Sequence, residues 1–291
     1  MTIHRLAMGT LLLTFLLIVF GGYVASSESG MGCGPDWPLC NGVLVPVLHG
    51  ETLIEYTHRV IGALLAVLSA LLWWKIRRSQ ASASVRRAAD GMALLLVLQI
   101  LLGALVVVLD LPAIVVTLHL LIAFAFMALL LYLWRTTRPA DRPASRPIPL
   151  GFLIQHVNLI LLLCTITIAL GAYIKHQSYG LACDWLTCRE SWLPVGEAQI
   201  WQTLHRLFAL ATAAYTALFA AINLANADRR AAAGLRNRLV ALAAAVLLQL
   251  LIGVAAVATN LDIAWAVIHL AAATALFAVL AELRIWLGSI R

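Results

Sequence analysis

Eight apolar runs, each close to a membrane thickness in length, constrain this chain more than any other feature of its sequence. They fall near residues 6–25, 53–74, 91–109, 113–134, 150–172, 202–225, 238–258 and 264–287. A helix rises about 1.5 Å per residue, so roughly 20 apolar residues cross the ~30 Å hydrocarbon core of a bilayer. Backbone inside that core must satisfy its own hydrogen bonds, and an isolated apolar run does so as a helix. The expected fold class is therefore an all-α integral membrane protein with eight transmembrane helices. Charged residues are 11% of the chain, against about a quarter in soluble domains, which excludes a soluble globular enzyme.

The first run has Arg5 ahead of it and Val24-Ala25-Ser26 behind it, the outline of a secretory signal. Its apolar length is that of a full span, and it is expected to be a retained helix.

A net charge of +7 raises the question of nucleic acid, and the placement of the cations answers it. Arg5, the cluster Lys75 to Arg87, Arg135 to Arg146, Arg229 to Arg238, Arg284 and Arg291 hold sixteen of the twenty Lys and Arg, all on one side of an eight-span topology. By the positive-inside rule that side is cytoplasmic. Both termini are then inside a cell membrane, the charge reports orientation toward the lipid, and no nucleic-acid partner is expected.

The two halves repeat. Gln99 to Gly103 recurs as Gln249 to Gly253, His119 as His269, Thr57-His58-Arg59 around His205-Arg206, and Cys33 to Cys40 as Cys183 to Cys188. Such self-similarity predicts two pseudo-symmetric four-helix bundles. They comprise an N-terminal half over 1–137, a cytoplasmic linker over 138–149 and a C-terminal half over 150–291. Pro139, Pro143, Pro147 and Pro149 keep the linker from being helical throughout. The inner segment with Ser79, Ser82 and Ser84 reads as a connector, and Trp37, Trp185 and Trp192 as interfacial anchors.

Ionisable side chains within spans are costly unless paired or bound. His58, His119, His205 and His269 each lie a short way inside the outer end of a different run, at similar depth. Two per half, on different helices, can clamp a planar macrocycle inside a bundle, and histidine is a common axial ligand of haem iron. Two haem-sized sites follow. A lone intramembrane histidine is more often a packing residue, so His156, without a counterpart, and His4, His49 and His176 receive no role. Arg59 and Arg206, next to histidines, are candidates for haem propionate partners, with snorkelling to the interface as the alternative. Gly103 and Gly253, one turn after Gln99 and Gln249, permit close approach of a helix or a flat ligand.

The halves differ at one informative place. Glu55 lies three residues before His58, on the same helix face, and the matching residue before His205 is Gln202. A carboxylate in a desolvated pocket suits proton transfer, so the first half is expected to be the reactive one. Glu51 and Glu197 read as charges that complement helix N-termini. Cys164 reads as a buried apolar residue. The other four cysteines form two local pairs on the oxidising outer side, Cys33 with Cys40 as a structural or redox pair and Cys183 with Cys188 as a structural one.

Together these residues resemble a known family. Cys33-Gly-Pro-Asp-Trp-Pro-Leu-Cys40, Glu55-Tyr-Thr-His58-Arg59, the repeated histidines and eight spans in two halves look like bacterial haem A synthase of the cysteine-containing type. The resemblance implies an oxidoreductase that converts haem O to haem A by oxidising a ring methyl to a formyl group through hydroxylated intermediates, for cytochrome oxidase. It implies substrate haem on His58 and His119, Glu55 as proton acceptor, and haem b, with its iron on His205 and His269, as the electron-transfer cofactor. It also implies a disulfide with an electron role at Cys33 and Cys40. Haem O synthase is the implied supplier of substrate. The electron acceptor, the formyl oxygen source and the oligomeric state, a homo-oligomer among the options, are left open. Two rivals stand beside this reading: a di-haem cytochrome b-like electron carrier, and a membrane thiol oxidase working through the outer cysteines.

Overall fold

The structure is a computed structural model, and it describes residues 2–138, 150–183, 188, 193–225 and 233–290. Among these residues are eight helices: α1 (Ile3–Ser26), α2 (Gly50–Arg77), α3 (Ala83–Val108), α4 (Ala113–Thr136), α5 (Leu150–His176), α6 (Glu197–Ala225), α7 (Ala233–Ala258) and α8 (Ile263–Ser289). All eight are long and apolar enough to cross a membrane, and the chain is a multi-pass membrane protein. Of the expected linker, residues 139–149 lie outside the described residues, as do Trp185, Trp192, Arg229, Arg230 and Arg291.

Several helices run past their apolar runs. α3 begins at Ala83, and its first turns carry Arg86, Arg87 and Asp90. Hydrophobicity marks only the hydrocarbon core, whereas the backbone ladder continues while charged side chains reach water. Ser82, read from sequence as part of a connector, is the N-cap of α3, and its hydroxyl accepts the Val85 N–H. Asp90 then accepts the Trp73 indole N–H at 2.9 Å and an Arg77 N–H at 3.3 Å, tying α3 to the last turns of α2.

The helices α1 to α4 close into a ring, α1 packing on α2, α2 on α3, α3 on α4 and α4 on α1. The same succession of contacts joins α5 through α8. Between the rings, α1 meets α8, α4 meets α5, and α4 meets α8. The core concentrates along that seam, where Met127, Leu130 and Leu133 of α4 and Leu280 and Leu283 of α8 are fully or almost fully buried. Phe124 and Phe277 cross the seam edge to face, their centroids 4.9 Å apart. At its end, Glu282 of α8 accepts two hydrogen bonds of 2.8 Å from Arg238 of α7 and meets Arg135 of α4 at 3.4 Å.

The turns opposite the charged ends also correspond. Asp110 and Leu111 between α3 and α4 have positive φ, as do Asn260 and Leu261 between α7 and α8. The left-handed conformation costs a side chain about 1–2 kcal/mol, and packing holds it here. Leu111 seats against Gly30, and Leu261 against Gly180. These turns fix where α4 and α8 re-enter the bundle, and so the height of His119 and His269.

Candidate functional site

Each of the four histidines rests on a glycine of the preceding helix. A methyl group added at Gly21 of α1 would come within 3.2 Å of His58 Cε1 on α2, and one at Gly103 of α3 within 3.1 Å of His119 Cε1 on α4. In the other ring, Gly171 of α5 would meet His205 Cε1 at 2.9 Å and Gly253 of α7 would meet His269 Cε1 at 3.0 Å. At 171 an added carbon would force a shift, and at the other three it would sit tighter than ordinary contact, so the imidazoles lie close against bare backbone. His58 and His119 belong to one ring of packed helices and His205 and His269 to the other.

Their hydrogen bonds differ. Gln99 Nε2 stands 3.0 Å from His119 Nε2, and Gln249 Nε2 lies 3.3 Å from His269 Nδ1 and 3.4 Å from its Nε2. The Thr167 carbonyl on α5 accepts His205 Nδ1–H at 3.0 Å. His58 lies beside the Phe20 ring, 6.0 Å between centroids, and its Nδ1 is buried without a hydrogen-bond partner among the described residues. His119 Nδ1 and the side-chain oxygens of Gln99 and Gln249 are likewise buried and unpaired.

Each ring also carries a disulfide-bonded cysteine pair, clamped from α2 or α6. Glu55 is buried at 4% exposure. Its Oε2 accepts the Cys33 N–H at 2.7 Å, while its Oε1 takes Arg59 Nε–H at 3.0 Å and a second bond from the same guanidinium. Arg59 also donates to the Leu39 carbonyl at 2.8 Å. In the second ring Gln202, equally buried, accepts the Cys183 N–H through Oε1 and donates to the Gly180 carbonyl. Arg206 reaches the Cys183 carbonyl at 3.3 Å. Cys33 is disulfide-bonded to Cys40 and Cys183 to Cys188, and all four residues are buried.

These residues fit haem. Among the described residues no three His, Cys, Asp or Glu converge on a metal position. Each ring instead offers two imidazoles, the donor set for an iron already held by a macrocycle. The buried, unpaired Nδ1 atoms of His58 and His119 and side-chain oxygens of Gln99 and Gln249 are polar atoms that a bound group or water would satisfy.

Comparison with known proteins decides the family. The chain matches the family described as cytochrome oxidase assembly protein over residues 4–53 and 47–281. It is 33% identical to the haem A synthase of Bacillus licheniformis over 281 residues, covering 93% of this chain and 91% of that one. The haem A synthase of Geobacillus kaustophilus is 33% identical over 287 residues, 95% of this chain and 89% of its own, and that of Bacillus pumilus is 29% identical over 287 residues, 96% and 92%. The chain belongs to the haem A synthase family.

Within this haem A synthase family fold, the sequence-predicted residues fall into two groups of matched makeup. His58, His119, Glu55, Arg59, Cys33 and Cys40 gather in the first ring, and His205, His269, Gln202, Arg206, Cys183 and Cys188 in the second. Arg59 and Arg206, considered above as propionate partners, both bond the cysteine loops. His156, given no role, shares a hydrogen bond with Tyr215 Oη and stacks beside Phe219. Cys164 is buried as expected, and His4 pairs with the Trp134 carbonyl at 3.3 Å. Sequence reasoning passed over Gly21, Gly171 and Thr167. Gly21 and Gly171 stand in the same repeat register as Gly103 and Gly253, which is the signal that could have found them.

Proposed function

We propose that this chain is a haem A synthase which converts haem O to haem A in its first ring, oxidising a ring methyl group to a formyl group through hydroxylated intermediates. The observation that carries the choice of ring is the exchange at the loop clamps. Glu55 and Gln202 make the same bond to a cysteine N–H, yet one is a carboxylate and the other an amide. The second ring therefore keeps the architecture and lacks the proton-accepting group.

In this reading His58 and His119 hold the substrate's iron from two sides, and Gly21 and Gly103 let the imidazoles lie close to α1 and α3. Each two-electron oxidation of the methyl carbon releases protons, and Glu55, one turn from His58, is the carboxylate positioned to take one. Arg59 keeps that carboxylate oriented and balances its charge. The Cys33–Cys40 disulfide can take up two electrons, with two of the protons released by that oxidation, on becoming two thiols, and Glu55 holds its loop against α2. The Cys183–Cys188 disulfide is its structural counterpart in the second ring.

His205 and His269 would hold haem b, whose iron supplies one-electron transfer when bound. The chain lies in the cell membrane with both termini in the cytoplasm, supported by the cations at one end of the helices and the cysteine loops at the other. Haem O synthase is the supplier of substrate.

The test is haem extraction and chromatography from cells that express this chain with a source of haem O. Wild type should yield haem A, and His58→Ala should not. Bound haem b with no haem A from the wild type under any condition would overturn the reading.

A further inference from the structure

Four histidines in one repeated setting invite comparison of what stands one helical turn before each supporting glycine. Before Gly103 and Gly253 it is Gln99 and Gln249, whose amides contact the imidazoles. Before Gly171 it is Thr167, whose backbone carbonyl takes His205 Nδ1–H at 3.0 Å. Before Gly21 it is Leu17, and His58 Nδ1 is buried without a hydrogen-bond partner among the described residues.

The Thr167 carbonyl is available because of Gly171. In a helix that oxygen already accepts the N–H four residues on, which is Gly171's own. Its second lone pair can serve another donor, and a side chain at 171 would collide with the His205 ring. Thr167 is itself placed by two bonds, to the Leu163 carbonyl at 2.8 Å and to Thr212 Oγ1 of α6 at 3.3 Å. A carbonyl only accepts, so His205 carries its proton on Nδ1, and Nε2 keeps the lone pair that iron requires. A ring that donates in this way is oriented and is more basic at its other nitrogen, and loss of such a partner typically weakens metal binding by about 10–100-fold.

We propose that the Thr167 carbonyl, uncovered by Gly171, is the positioning group that makes the second ring a permanent haem site, and that His58, whose buried Nδ1 takes no such bond, is built as a ligand that binds and releases. This rests on the assignment of substrate to the first ring and resident haem to the second, and it supplies a cause for that division. A synthase must exchange one macrocycle at every turnover while keeping the other.

The experiment uses the full chain in detergent, loaded with haem b in both rings and mixed with an excess of a haem-scavenging apoprotein. His58→Ala and His205→Ala assign the two phases of haem loss. The first-ring phase should be about 10–100-fold faster in the wild type. Gly171→Ala should speed the second-ring phase and raise the reduction midpoint of that haem, a readout that looser packing alone would not move in that direction. Equal loss from both rings, or an unchanged second-ring midpoint in Gly171→Ala, would overturn the proposal while leaving two haem sites standing. Failure of the wild type to bind haem would overturn the histidine reading itself.

Discussion

Glu55 Oε2 accepts the backbone N–H of Cys33 at 2.7 Å, and Gln202 Oε1 accepts that of Cys183. The residue that distinguishes the rings chemically is thus also the one that seats a disulfide loop on its helix. Glu55→Gln should keep the seat, since an amide already does the job at 202. Glu55→Ala leaves the buried Cys33 N–H and the Arg59 guanidinium without their acceptor, at a cost of about 1–3 kcal/mol for the unsatisfied donor. Thermal unfolding in detergent should place Glu55→Ala well below Glu55→Gln, and equal midpoints would show that the clamp carries no stability.

The same loop is pressed onto the start of α2 at Gly32. A methyl group there would lie 2.4 Å from the Glu51 carbonyl oxygen, a backbone atom that cannot move aside. The Gly32 carbonyl also accepts Thr52 Oγ1–H at 2.7 Å and Asn41 Nδ2–H at 3.1 Å. Gly32→Ala is expected to lift the loop and expose the buried Cys33–Cys40 pair. Alkylation of thiols after mild reduction should proceed several-fold faster than in wild type, with Gly9→Ala on α1, where no atom stands within 4 Å and the backbone is helical, as the control for simple alanine substitution.

At the other end of the seam, Glu282 accepts from Arg238 and meets Arg135. The three side chains are 9–21% exposed, so they are only partly screened by solvent. Glu282→Ala should destabilise the protein by on the order of 2 kcal/mol, the usual worth of charge-assisted bonds, read as a fall in thermal midpoint. Glu282→Gln should lie between it and wild type.

The eight helices were legible because apolar length depends on composition alone, and the four histidines because a polar residue in such a run stands out. The ends of α3 and α6 were not, since Arg86 and Glu197 sit in turns whose polarity looks like loop. Gly21 and Gly171 were also hidden, because a glycine in an apolar run carries no local sign of what approaches it. The Thr167 contact could not be read at all, for it uses a backbone oxygen and leaves no trace in residue type. The clamp role of Glu55 was missed for a related reason: its partner is the N–H of Cys33, a group every non-proline residue has.

Haem content should follow the histidine pairs. Replacing both His205 and His269 with alanine is expected to remove haem from the second ring and leave binding at His58 and His119, and the reverse double variant should do the opposite. Iron-to-protein ratio and the absorption spectrum of each purified variant check this, and retention of all bound haem in either variant would contradict the assignment of axial ligands.

The most direct test of where the chemistry happens is the haem profile of cells expressing Glu55→Gln with a source of haem O. That variant keeps the loop seat and changes only a carboxylate to the amide found in the second ring. Haem A should be lost or stall at the hydroxylated form while the protein folds and still binds haem. Undiminished haem A from Glu55→Gln would contradict that placement of the chemistry.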